Sequence, residues 1–78
     1  MAVRIELLDE VVIAKRCFKN NCMEQAGKVW EEIHDMIEEL ENTEGKEKVM
    51  HEYHQTMSLF TDDEVFGITD YLKKKAGC

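Results

Sequence analysis

Two histidine motifs carry the sharpest chemical signal in this sequence. His51-Glu-Tyr-His54 sets two imidazoles three residues apart, and Glu31-Glu-Ile-His34 has the Glu-x-x-His spacing of carboxylate-bridged iron bundles, with Met50 and Met57 flanking the first pair. If the helices that carry them turn back around residues 42–43, position 34 lies level with about position 51 and one turn from 54, since each residue rises about 1.5 Å. At 100° per residue, His34 and His54 then share a flank with Glu31, while His51 points away from its helix's apolar stripe.

That set stops short of a metal centre. A di-iron site takes a second Glu-x-x-His and two further inward glutamates, which the sequence does not supply, because its acids line the outside. Cys17 and Cys22 lie roughly 15 Å along the helices from His34. His34, His54 and Glu31 therefore stand as metal candidates only. Histidines on exposed helix flanks are the plainer reading, and no cofactor is expected. Met23, Met36, Met50 and Met57 read as core filler rather than soft-metal ligands.

Catalysis has even less to work with. Nucleophilic chemistry wants a serine or cysteine beside a base, and glycosidase chemistry wants two carboxylates across a cleft, which a bundle of 78 residues hardly offers. The sequence has no phosphate-cradling glycine loop, no dinucleotide fingerprint and no Cys-x-x-Cys. The expectation is a protein that is not an enzyme.

Charge points to a partner instead. The net charge is −7, and residues 29–45 hold seven acids with no lysine or arginine among them. Glu31, Glu32, Asp35, Glu38, Glu39 and Glu41 fall opposite an apolar stripe and must face water or a partner, because burying them unpaired costs too much. Such a surface repels phosphate backbones and anionic lipid, which argues against direct nucleic-acid or membrane binding and favours a basic protein surface. A solvated face kept acidic for solubility is the bland alternative. The functional expectation is protein–protein interaction, as a regulator, adaptor or inhibitor of a basic partner, with a nucleic-acid-binding partner as one variant. A metal-binding bundle, or a structural subunit of a larger assembly, is the alternative.

These side chains must be positioned by helices. Proline is absent and glycine occurs only at 27, 45, 67 and 77, so composition favours an all-α chain before any periodicity is weighed. The central stretch sets Met23, Ala26, Trp30, Ile33, Ile37 and Leu40 at spacings of 3, 4, 3, 4 and 3. Trp30, in mid-stripe, reads as the main core residue. Helices are expected over about 3–19, 22–41, 44–59 and 62–75, in one domain spanning 1–78 folded as a small three- to four-helix up-down bundle.

The expected boundaries come from caps. Asn20-Asn21 marks the first turn, with Asn21 as N-cap and Glu24 as its capping-box partner. The second turn is Glu41-Asn42-Thr43-Glu44-Gly45. At the third, Thr61 caps with Glu64, and Phe60 and Val65 are placed as a hydrophobic staple. Thr61 to Lys73 resembles the last helix of small c-type cytochromes, but no Cys-x-x-Cys-His accompanies it and no family is assigned.

The first helix has two apolar rows, Leu7-Val11-Ala14-Phe18 and Ile5-Leu8-Val12, so more than one neighbour should cover it. Four short helices carry more apolar face than a small monomer buries, which admits a homodimer through the first or central helix. No apolar run approaches the roughly 20 residues that span a bilayer, and the charged start does not fit a signal peptide, so the expected compartment is the cytoplasm. Cys17, Cys22 and Cys78 fit reduced thiols better than a disulfide framework, with Cys78 exposed enough to oxidise in air.

Overall fold

A computed structural model describes residues 4–77. Four helices follow one another with very short connections: α1 (Ile5–Lys19), α2 (Met23–Glu44), α3 (Lys46–Met57) and α4 (Asp62–Ala76). The expected all-α bundle is what forms. The start expected near residue 3, and Cys78 with its expected oxidation, lie outside the described residues. No helix among them is long and apolar enough to cross a membrane.

The four helices stand in three columns. α1 and α2 pair along most of their length, and α3 and α4 follow one another in series along the same pair. Contacts show the order. Down α2, Tyr53 meets His34, Phe60 meets Trp30, Leu72 covers Gly27 and Lys75 reaches Glu24. Up α1, Arg4 pairs with Glu52, Lys15 with Glu64, and Phe18 lies over Gly67. α2 therefore touches every other helix and, at about 1.5 Å per residue, its 22 residues account for the 34 Å long dimension.

The first turn differs from expectation. Asn21 has φ +62°, the left-handed conformation that asparagine tolerates better than most residues, and so cannot act as an N-cap. The Cys22 N–H donates to the Cys17 carbonyl at 2.8 Å and the Asn21 N–H to the Phe18 carbonyl at 3.1 Å, the two bonds of a Schellman ending. Cys22 occupies the N-cap of α2 with no side-chain bond to the helix, so the expected Asn21–Glu24 capping box does not form.

The second turn contracts to one residue. α2 runs through Asn42 and Thr43 to Glu44, and Gly45 alone, at φ +96°, reverses the chain. Only glycine takes that backbone without strain. Arg4 fixes this end, its guanidinium bridging the Glu44 carboxylate and both oxygens of Glu52 at 2.8 and 3.1 Å. The third turn is as expected: the Glu64 N–H donates to the Thr61 hydroxyl and the Thr61 N–H to the Glu64 carboxylate at 2.8 Å.

The core runs through all three columns. Leu7, Val11 and Ala14 of α1 meet Ala26, Trp30, Ile33 and Ile37 of α2, closed by Val49, Phe60 and Ile68. Trp30 is 7% exposed and packs edge-on to Phe60 with ring centroids 5.0 Å apart. It is a core residue, as expected, and not an interface anchor.

Candidate functional site

Acidic side chains on α2 are sorted by the helices that flank it. Ile33 and Ile37 point into the core, and stepping 100° per residue from them puts Glu31 and Glu38 toward α3, with Glu32 and Glu39 toward α1. Glu31, Glu32, Asp35, Glu38 and Glu39 are exposed, and Glu41 is half-buried. The acidic face is thus three adjoining sectors rather than one strip.

Each flank has its own surroundings. Glu38 and Glu41 line a shallow hollow between α2 and α3, floored by Ile37, Met50 and Tyr53. Glu39 lines a second hollow between α1 and α2, shared with Glu6 and Arg4. Glu32 lies against Glu10 of α1. Glu6 and Glu10 therefore extend the acidic surface across a helix boundary, which the sequence reading missed. Their four-residue spacing was a signal for one shared face, but only packing shows that this face borders α2.

The Glu10–Glu32 contact has an energetic sign. Burial, and then the neighbouring Glu32 carboxylate, raise the Glu10 carboxyl above its ordinary 4.5. A carboxyl raised on folding contributes most below its unfolded value and loses that contribution as pH rises through the folded one. Glu10→Gln is accordingly expected to stabilise the fold at neutral pH by a few tenths of a kcal/mol, the scale of exposed charge pairs. Urea titrations at pH about 7 and about 4 check this, since the advantage must shrink in acid.

Glu64 is shifted the other way. Burial would raise its carboxyl, but the Lys15 ammonium at 2.7 Å and the Thr61 backbone and hydroxyl outweigh that and hold it low. Its contribution is present above the ordinary carboxylate range and is lost as acid protonates it. Lys15 also donates to the Leu59 carbonyl at 2.9 Å, tying α1 to the α3–α4 corner.

The histidines are taken up by an aromatic ladder. His34 donates Nδ1–H to the Trp30 carbonyl at 2.9 Å, leaving Nε2 to accept a long 3.5 Å contact from the Tyr53 hydroxyl. Ring centroids step from Trp30 to His34 (5.2 Å), to Tyr53 (5.7 Å), to His54 (5.8 Å). Tyr53 is the residue that meets His34, and His54 is exposed. His54 is level with His34 to within a residue, but α3 buries Val49, Glu52 and Thr56, which turns His54 outward and leaves Tyr53 facing α2. Glu31 is exposed, His51 points to solvent as expected, and Cys17 and Cys22 are free thiols. Among the described residues no three His, Cys, Asp or Glu side chains gather where one ion could bind.

Comparison with family models, curated proteins and solved structures finds no match.

Proposed function

We propose that this protein acts by binding a partner whose surface is basic, as a regulator, adaptor or inhibitor, through the acidic face of α2. One observation carries the reading: none of Glu31, Glu32, Asp35, Glu38, Glu39 and Glu41 is in an ion pair among the described residues, although other acids of the same chain are. Glu44 and Glu52 have Arg4, Glu64 has Lys15, and Asp70 has Lys74 at 3.2 Å. Glu44, Glu52 and Glu64 are neutralised where helices meet, whereas the six acids of α2 share an open surface with Glu6 and Glu10. A field of one sign steers an oppositely charged partner, and apolar contacts such as Met50 and Tyr53 in the α2–α3 hollow then hold it. A partner surface that ordinarily holds nucleic acid is one form of this reading, the acidic helix competing with a phosphate backbone.

The test is capture of partners from the protein's own cells by the wild type and by the Glu32→Lys/Asp35→Lys/Glu39→Lys variant. Captured proteins should be basic, should be lost to the variant, and should dissociate as salt rises from about 0.1 to about 0.5 M, where screening shortens to a few ångströms. Added duplex should release any partner whose surface binds nucleic acid. Equal capture by the variant at both salt concentrations refutes the reading.

A further inference from the structure

The turn between α1 and α2 brings two thiols together. Cys17 is the third residue from the end of α1 and Cys22 the second after its C-cap, the two positions that a Schellman ending joins, and the Cys22 N–H donates to the Cys17 carbonyl at 2.8 Å. That bond limits the separation of the two Cα atoms. A carbonyl oxygen stands about 2.4 Å from its own Cα and an amide nitrogen about 1.5 Å from its own, so with the 2.8 Å bond between them the two Cα atoms are at most about 6.7 Å apart. Disulfides span Cα atoms roughly 4.4–6.8 Å apart.

Both side chains are directed at this turn. A Schellman ending frequently sets the side chains at these two positions against each other. Cys17 follows Glu10 by seven residues and so shares its side of α1, the side on which Glu10 meets Glu32 of α2. Cys22 makes no side-chain bond to α2; its Sγ lies 3.8 Å from the Asn20 carbonyl oxygen, turned back toward the end of α1. Asn21, at φ +62°, holds the chain in this shape. Exposure separates the two thiols. Both are free, with Cys22 exposed and Cys17 half-buried against the core.

We infer that Cys17 and Cys22 form a redox site, a dithiol that closes to an intramolecular disulfide on reaction with a small disulfide such as oxidised glutathione. The exposed Cys22 thiolate attacks one glutathione sulfur, and the glutathione S–S bond breaks to release one glutathione thiolate. The Cys17 thiolate then attacks the Cys22 sulfur of the mixed disulfide and displaces the second glutathione thiolate. The two protons given up by the protein thiols end on the two glutathiones, so the protein loses two electrons and the glutathione disulfide gains them. The ring closes within residues 17–22, outside the acidic residues of the proposed partner surface, and the inference stands independently of that reading.

Equilibration of the full chain with mixtures of reduced and oxidised glutathione, then acid quenching, alkylation of the remaining thiols and peptide mass spectrometry, tests it. Trypsin cleaves after Arg16, Lys19 and Lys28, so the two cysteines fall in separate peptides, 17–19 and 20–28, and the inferred bond is read as a joined pair lighter by two hydrogens. The ratio of joined to open pair should be higher in the folded protein than in the same chain in urea by about ten-fold or more, because the folded turn has already closed the loop that the unfolded chain must close at an entropic cost. Cys17→Ser should stop at a glutathione mixed disulfide on Cys22. Cys22→Ser, checked for fold by circular dichroism like its counterpart, should take up glutathione on Cys17 about ten-fold more slowly, since that thiol is half-buried. A folded wild type that holds glutathione on Cys22 while Cys17 stays open to alkylation overturns the inference, and so does a joined pair no more abundant than in urea. Faster uptake by Cys17 than by Cys22 overturns the order of attack.

Discussion

Trp30→Ala is expected to remove about 3–5 kcal/mol of stability, the range for deleting a large buried aromatic side chain. A fold of this length holds roughly 4–12 kcal/mol in total, so the variant stands close to its unfolding midpoint. The position explains the size of the effect. Trp30 lies where all three columns meet, edge-on to Phe60 at the α3–α4 corner and 5.2 Å from the His34 ring that continues the ladder to Tyr53. Its removal leaves a hole between α2 and the two short helices that rigid column packing cannot close. Urea unfolding followed by far-ultraviolet circular dichroism measures the loss, and a change below about 1.5 kcal/mol would mean that the core is centred elsewhere.

How much of this was legible beforehand depended on whether a signal was local. The Thr61 capping box was readable because cap, partner and staple fall within six consecutive residues. The α2 stripe was readable because Ala26, Trp30, Ile33 and Ile37 repeat over many turns. α3 was not: Val49, Met50, Tyr53, Met57 and Phe60 have helical spacing, yet Glu52 and Thr56 are the residues of α3 buried beside Val49. A glutamate on a core face looks wrong until Arg4, 48 residues away, is seen to pair with it, and the Thr56 hydroxyl donates to the Glu52 carbonyl at 2.8 Å.

Site legibility followed the same division. The acids of α2 could be named one by one, since residues 29–45 contain no lysine or arginine. Their division into flanks, and their continuation through Glu6 and Glu10, depends on how α1 and α3 lie against α2. The His34–His54 pairing failed on rotation rather than on level: α3 buries Val49, Glu52 and Thr56, so Tyr53 meets His34 and His54, 100° further round, faces solvent. The second apolar row of α1 calls for a neighbour, but among the described residues Ile5, Leu8 and Val12 stay exposed.

Ile68→Ala is the second large effect, expected to cost about 2–5 kcal/mol, and it differs from the first in where it acts. Ile68 is fully buried and is the one buried residue of α4. Val65, Tyr71 and Leu72 are half-buried, and Phe66 is 72% exposed. Beside these and the ion pairs to Lys15 and Glu24, α4 makes close contact at two glycines: an added Cβ on Gly27 would stand 2.9 Å from Leu72, and one on Gly67 2.6 Å from Phe18. Both seats lie close to Ile68, and both need the helix drawn in. Without that side chain α4 should undock as a unit while α1, α2 and α3 keep their shared core of Leu7, Val11, Ile33, Ile37 and Val49. Hydrogen exchange distinguishes the two outcomes. Protection in Ile68→Ala should fall across Asp62–Ala76 and persist in Met23–Glu44, whereas Trp30→Ala should lower it in every helix; a uniform loss in Ile68→Ala would show that α4 is an inseparable part of the core.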